Sequence, residues 1–262
     1  MERSNLDTVH ENFADNLLRL ALDVGEGMLK NGGEISRVED TVERICRAYG
    51  AVHVEVFTII SVINASVQMA DGSRSSQMRR VKSTGMNLSA LEHLNSISRE
   101  VCHDVPSLDY FESKIRQIKK LKVYPPVVIM MAWALAAASF SVFFGGGLLE
   151  CFWAALAGGA MFLIDTYTPK RMNAIAKHVL SSFAATLLAG ILVALFDGDG
   201  GVVIMGSLML LVPGVAIGTA MRDIFCGDIL AGTLKLIQAC LSALMLAFGY
   251  MFAIWIMGGV SI

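Results

Sequence analysis

Five long apolar segments in the second half of this chain constrain its fold more than any other feature. A helix needs about 20 apolar residues to cross a bilayer, because each residue adds about 1.5 Å. Segments of about that length cover residues 125–144, 148–165, 178–196, 202–221 and 236–260. We therefore predict an all-α membrane domain of five transmembrane helices over residues 123–262, surrounded by the lipid bilayer.

The charged residues are concentrated in the other half of the chain. Residues 1–122 hold 33 of the 44 Asp, Glu, Lys and Arg residues, whereas residues 123–262 hold 17 of the 24 glycines, which allow membrane helices to pack closely. The first part is typical of a soluble domain with a core of its own. The net charge of −2 hides this division, and we expect no nucleic-acid partner.

The pattern of residues 1–122 predicts an α+β domain. Apolar residues at helical spacing indicate helices over 13–30 and from about Glu34, separated by Gly32-Gly33. Alternation at Val52, Val54 and Val56 indicates a half-buried strand. A β-rich run through residues 67–69, a hairpin turn at Asp71-Gly72 and a strand over 74–81 complete three strands, followed by helices over 87–102 and 107–122.

The positively charged residues predict the orientation in the membrane. The loops before the first segment, between the second and third, and between the fourth and fifth carry Lys119, Lys120, Lys122, Lys170, Arg171, Lys177, Arg222 and Lys235. The intervening loops at 145–147 and 197–201 carry none. The N-terminal residues also lack the apolar core of a signal peptide. By the positive-inside rule, we expect a cytoplasmic N-terminal domain and a C-terminus outside.

The segment LVPGVAIGTAMRDIFCGDILAG, residues 211–232, is the most informative part of the membrane domain. Pro213 removes a backbone donor, so carbonyls near residues 209 and 210 are expected to be free. In transporters, broken helices of this kind face a polar substrate. The alternative is a packing kink, in which Gly214 and Gly218 face a neighbouring helix.

Three charges that follow the break, and one at the end of the second segment, have two interpretations each. Arg222, Asp223 and Asp228 either pair and cap helices at the interface, or bind the substrate and exchange a proton. A carboxylate would suit a substrate ammonium, and the planar guanidinium of Arg222 would suit a substrate carboxylate. Asp165 is either a plain helix end or part of a proton path.

Other features of the sequence point away from cofactors. The five cysteines have no paired CxxC spacing and the histidines are scattered, so we expect no metal site and no disulfide framework. There is no phosphate loop or dinucleotide fingerprint, so ATP is not expected to supply the energy. Arg37 and Glu39 lie on different sides of the second helix and serve either its local electrostatics or docking onto the membrane domain.

Three blocks of residues resemble the threonine/serine exporter family. They are Gly32-Gly33-Glu34 with Arg37-Val38-Glu39, then Phe144-Gly145-Gly146-Gly147, then Pro213-Gly214 with Arg222-Asp223, Gly227-Asp228 and Gly232. Asn95 and Arg99 also match a polar helix of the family. Long members have a second membrane half. This chain resembles the larger subunit of split members, which implies a small membrane partner subunit in the bacterial inner membrane.

The resemblance implies a secondary exporter driven by proton exchange. Its substrate would be threonine or serine, or a small dicarboxylate such as succinate. The scarcity of cations at membrane depth favours an amino acid. Two further hypotheses are a membrane-anchored hydrolase, which would use Ser61, Ser66, His53 and Glu55, and a scaffold subunit that does not transport.

Overall fold

The chain forms two compact units. The computed structural model describes residues 2–82, 84–118, 124–169, 172, 174–196 and 198–258. The first unit comprises Met1–Lys122 together with Gly218–Lys235, and the second comprises Val123–Ile217 with Leu236–Ile262. The sequence-based division at residue 122 omits this second segment of the first unit. Ala231 explains the grouping, because it belongs to the first unit's hydrophobic core.

The first unit has the predicted order of two helices, three strands and two helices. Its elements are α1 Glu2–Lys30, α2 Ile35–Ala48, β1 Ala51–Ile59, β2 Val62–Met69, β3 Arg74–Arg80, α3 Leu88–Asp104 and α4 Leu108–Ile118. The strands form one antiparallel sheet in the order β1-β2-β3. Helix α1 buries Leu17, Leu20, Val24 and Met28, as its helical periodicity predicts, whereas Phe13 on the same predicted face is 38% exposed.

Strand β1 departs from the simple alternation of the sequence. Val52 was expected to face inward with Val54 and Val56, but it is 49% exposed. A β-bulge lies between Ala51 and His53, so Val52 has no partner on β2 and the alternation restarts after it.

The second unit contains most of the apolar helices. The remaining elements of the chain are α5 Pro126–Phe143, α6 Leu148–Tyr167, α7 Ala174–Phe196, α8 Gly200–Leu208, a 3₁₀ turn at Met209–Leu211, α9 Gly214–Phe225 and α10 Ile229–Ile256. Helices α5, α6, α7 and α10 are long and apolar enough to cross a membrane. Helices α8 and α9 would make a fifth span only as one pair, which bends by 46°.

Small residues bring the helices of the second unit together. A side chain added at Gly206 of α8 would lie 2.8 Å from the backbone nitrogen of Ser141 in α5. One added at Gly158 of α6 would lie 2.8 Å from the carbonyl oxygen of Trp133. This close packing is the role expected for the many glycines of this half.

Parts of several sequence predictions fall outside the described residues. These are the end of the predicted helix over 107–122, residues 259–260 of the last segment, and Lys119, Lys120, Lys122, Lys170 and Arg171 of the orientation argument. The last helix also begins earlier than predicted, at Ile229 instead of residue 236, and it includes Lys235.

Candidate functional site

The predicted break at Pro213 is present, but its carbonyls are less free than expected. The backbone N–H of Val212 donates to the Met209 carbonyl at 3.3 Å, which corrects the prediction of a free carbonyl at residue 209. The N–H of Gly214 donates to the Val212 carbonyl at 2.8 Å. Apart from the adjacent backbone of α9, a Cβ added at Gly214 or at Gly218 would meet no atom of the described chain within 4 Å, so these positions are open and do not show the predicted close packing.

The last turn of α9 places a carboxylate in the interior of the first unit. Asp223 is 1% exposed, and its Oδ2 accepts from the Lys235 ammonium of α10 at 2.5 Å. Its other oxygen, Oδ1, is buried and has no hydrogen-bond partner among the described residues. Leaving a buried acceptor unpaired costs about 1–3 kcal/mol. Such an acceptor needs an explanation, and a donor supplied by a bound molecule is one.

Two glycines set the geometry of the α9–α10 connection. Gly227 has φ +101° and ends α9, with its N–H donating to the Ile224 carbonyl and that of Asp228 to the Asp223 carbonyl. A side chain added at Gly232 would lie 2.7 Å from the carbonyl oxygen of Ala220, so α10 approaches α9 too closely for any other residue. The tight connection is what brings Lys235 to Asp223.

A second carboxylate reaches the same segment from the start of α2. The turn after α1 contains Gly32, which has φ +90°, and the N–H of Gly33 donates to the Met28 carbonyl at 2.8 Å. Glu34 follows directly and its Oε1 lies 2.8 Å from Nη1 of Arg222. Its Oε2 lies 3.5 Å from Nε of Arg37. Both contacts lie within the first unit, so the docking of Arg37 and Glu39 onto the membrane domain stays a prediction.

Glu39 and Asp228 lie outside the long apolar helices, and both have raised pKa values. Oε1 of Glu39 accepts from the Thr58 backbone N–H at 2.6 Å and so ties α2 to β1. Burial raises the pKa of Glu39, the Thr58 N–H lowers it, and the charge of Asp228 raises it. Burial and the charge of Asp223 raise the pKa of Asp228, while Lys235 lowers it.

The structure therefore brings part of the predicted site together in one charged cluster. Its members are Glu34, Glu39, Arg222, Asp223, Asp228 and Lys235, and we refer to them as the charged cluster. In the sequence Lys235 indicates only the orientation of the membrane domain, and its contact with Asp223 is not predicted. A signal was available, because Lys235 is the only Asp, Glu, Lys or Arg residue within α10.

The other predicted site residues are not members of this cluster: Pro213 and Gly214 at the break, Arg37 beside Glu34, and Asp165, Asn95 and Arg99. Asp165 lies in the second unit and pairs with Lys177 at 2.6 Å, with the aspartate side chain 47% exposed. This partner fits the simpler interpretation of an interfacial helix end. Asn95 and Arg99 lie on α3, where Asn95 is half-buried and Arg99 is exposed.

Two further features bear on the other chemical possibilities. A groove of about 750 Å³ on the sheet is lined by His53, Glu55 and Ser66, among others. In the described part of the chain these three side chains make no hydrogen bond to one another, so the base and nucleophile of a hydrolase are not paired. No group of three or more potential metal ligands occurs among the described residues.

The charged cluster lies at the end of a bent apolar helix pair, and the chain has four further long apolar helices. These features define a multi-pass membrane protein of the transporter class. A sequence profile of the threonine/serine exporters matches residues 19–257. The chain belongs to this family.

Individual relatives extend over most of the chain. "Probable succinate transporter subunit YjjP" of Escherichia coli strain K12 is 26% identical over 245 residues, which is 92% of this chain and 94% of that protein. Its counterpart in Klebsiella aerogenes is also 26% identical. "Pheromone-regulated membrane protein 10" of Saccharomyces cerevisiae strain S288c is 24% identical over 68% of this chain and 48% of its own length. No solved structure matches at a significant level.

Proposed function

We propose that this chain is one subunit of a secondary exporter for small carboxylate-bearing metabolites. It works with a small membrane partner subunit in the bacterial inner membrane and exchanges its substrate for protons. The observation that carries this proposal is Asp223, a buried carboxylate with one oxygen paired to Lys235 and the other unpaired, on the second helix of the bent pair. Family membership and the relatives' printed names support it.

The proposed proton carrier is the acidic part of the cluster. Asp228 lies between α9 and α10, and its raised pKa moves its titration towards neutral pH. Asp223, Glu39 and Lys235 lie around it or act on it electrostatically. Taking up a proton here would change the charge next to the Asp223–Lys235 pair, and that change would couple proton binding to substrate binding.

Threonine and serine are the first substrates to test. The unpaired Oδ1 of Asp223 accepts hydrogen bonds, and an amino-acid ammonium supplies donors. Arg222 supplies donors for the carboxylate of the same substrate. Arg222 and Asp223 are consecutive residues of α9, so this helix carries one donor group for a carboxylate and one acceptor group for an ammonium.

A dicarboxylate is the second candidate, because the E. coli relative is named a succinate transporter subunit. A dicarboxylate would need two positive partners. Arg222 and Lys235 are both present, although each faces a carboxylate of the chain. Succinate would therefore have to replace one of these internal carboxylates.

Efflux from loaded cells tests the proposal. Cells expressing this chain, the small membrane protein encoded beside it, or both are loaded with labelled threonine, serine or succinate. We expect export of one of these compounds only from the pair. We also expect Asp223→Asn to abolish it while both proteins stay in the membrane, and Asp165→Asn to leave it largely intact. Export that survives Asp223→Asn would favour a scaffold role for this chain.

The orientation and the enzymatic alternative have separate tests. We propose that the N-terminus is cytoplasmic and the C-terminus outside, on the strength of the positive residues. The hydrolase hypothesis places His53, Glu55 and Ser66 in the groove on the sheet. An esterase and peptidase screen of the full chain, compared with a Ser66→Ala variant, would support the hydrolase only if Ser66 proved necessary for activity.

A further inference from the structure

Arg222 already faces a carboxylate that belongs to the chain itself. Its Nη1 lies 2.8 Å from Oε1 of Glu34. The Glu34 side chain is 17% exposed, while that of Arg222 is 56% exposed. The guanidinium is thus reachable from solvent, whereas the carboxylate that it faces is held mostly within the unit.

The guanidinium of Arg222 can bind a carboxylate more fully than a single contact does. Its Nη1 lies 2.8 Å from Oε1 of Glu34, and a guanidinium has five N–H donors and can hold a carboxylate through two parallel hydrogen bonds. A free carboxylate in solution can adopt that bidentate geometry. Glu34 cannot follow easily, because its backbone is fixed by the turn before α2. A side chain added at Gly33 in this turn would lie only 2.9 Å from the Met28 carbonyl oxygen.

Glu34 also has a second positive neighbour. Nε of Arg37 lies 3.5 Å from Oε2 of Glu34, and the Arg37 side chain is 61% exposed and able to move closer. If Arg222 turned to another carboxylate, Glu34 would keep a counter-charge. Most buried pairs are hard to separate because one charge is left without a partner. The exchange proposed below avoids this, because Arg37 stays beside Glu34.

We propose that Glu34 is an internal competitor for the carboxylate-binding position of Arg222. The substrate carboxylate replaces Glu34 on Arg222 when it binds, and Glu34 takes its place again when the substrate leaves. This inference rests on the proposed function, because it names the group of the substrate that Arg222 binds and the residue that limits its affinity. Glu34 is thus a residue that sets affinity, and it belongs to the first unit's own sequence motif.

Chemical modification of Arg222 tests this exchange without requiring transport. Phenylglyoxal modifies exposed arginines, and mass spectrometry of the peptide that contains Arg222 gives the rate in the full-length chain with its partner subunit. Threonine and succinate, added separately, distinguish an amino-acid carboxylate from a dicarboxylate. Propylamine, which has no carboxylate, should not protect. We expect Glu34→Gln to lower the half-protecting concentration of the better compound about two- to fivefold, the range for a partly exposed ion pair.

A matched control lies in the same helix. Glu43 pairs with Arg47 at 2.7 Å, so Glu43→Gln removes an equivalent charge and should leave protection of Arg222 unchanged. Glu34→Asp keeps the charge but shortens its reach by one methylene. Glu34→Asp should lower the half-protecting concentration by a smaller factor than Glu34→Gln does. It replaces Glu34→Gln as the test if that variant does not fold.

The outcomes separate this inference from the proposed function. If the pair exports a carboxylate but protection of Arg222 is the same in wild type and both Glu34 variants, the inference is wrong and the function stands. If protection requires less compound in Glu34→Gln but nothing is exported, the competition stands and the exporter proposal fails. No protection of Arg222 by either compound in any variant would overturn the inference as well.

Discussion

The buried pair of Asp223 and Lys235 offers a direct test of what holds the end of α9 to the start of α10 within the first unit. Asp223 is 1% exposed and the Lys235 side chain 17% exposed, with 2.5 Å between Oδ2 and Nζ. Lys235→Met would remove the positive partner and leave a buried carboxylate whose Oδ1 already has no hydrogen-bond partner in the described structure. Breaking a buried pair in this way costs about 3–5 kcal/mol. Since Lys235 keeps some contact with solvent, we expect about 3 kcal/mol.

The other two variants complete a double-mutant cycle. Asp223→Asn keeps the shape and leaves a lysine that solvent can partly hydrate, so we expect a smaller loss of about 1–2 kcal/mol. The double variant has neither charge, and replacing a buried pair by neutral groups is often close to neutral in stability. The two single effects should therefore not add, and the coupling should exceed about 2 kcal/mol.

The assay is urea unfolding of the full-length chain in detergent, followed by circular dichroism at equal protein concentration. Lys177→Met is the matched control, because Lys177 and Asp165 also lie 2.6 Å apart but are 32% and 47% exposed. An exposed pair contributes about 0–1 kcal/mol, so this control should change little. Additive effects in the cycle, or a Lys235→Met variant as stable as the control, would refute the argument that Asp223 depends on Lys235.

Three further predictions follow from the same region. Gly232→Ala should destabilise the chain by about 1–3 kcal/mol, because the added carbon meets the backbone of α9. Gly218→Ala should stabilise it by up to about 1 kcal/mol, because the added carbon meets nothing and alanine favours a helix. Urea unfolding that ranks the two variants the other way would contradict the packing. Burial raises the pKa of Asp228 above its ordinary value of 3.8. The contribution of this group to the free energy of unfolding is therefore fully present below pH 3.8 and is lost as the pH rises through the folded-state pKa. Asp228→Asn should flatten this decline, and an unchanged pH profile would exclude Asp228 as its source. An impermeant maleimide should label the exposed Cys226 only from the cytoplasmic face and leave Cys46 unlabelled, since burial raises the pKa of that thiol to about 12; labelling of Cys226 from outside would reverse the proposed orientation.

Local patterns in the sequence were sufficient to predict most of the helices and strands. The apolar periodicity of α1 and the Asp71-Gly72 turn depend only on nearby residues, and both were predicted correctly. The β-bulge at Val52 was missed, because alternation records which residues are apolar but not where a strand slips against its neighbour. The start of α10 was also missed, since a search for uninterrupted apolar residues excludes a helical turn that contains Lys235.

The composition of the charged cluster could be predicted only in part. Arg222, Asp223 and Asp228 were chosen because charges next to long apolar segments are costly and seldom incidental. Their partners could not be derived in the same way. Glu34 and Lys235 lie in other segments, and although Lys235 stands out as the lone charge of α10, neither segment shows which residue its side chain contacts. The contact requires the tertiary fold.

Two glycine turns connect these results, because each follows the end of a helix and precedes a residue of the cluster. Gly32 closes α1 shortly before Glu34, and Gly227 closes α9 directly before Asp228, both with positive φ and the same pair of backbone hydrogen bonds. A helix that ends in this way fixes the direction of the next residues more tightly than a flexible loop would. A substitution at Gly32 or Gly227 should therefore impair the cluster without touching any charge, which is why these glycines belong to the site as much as the carboxylates do.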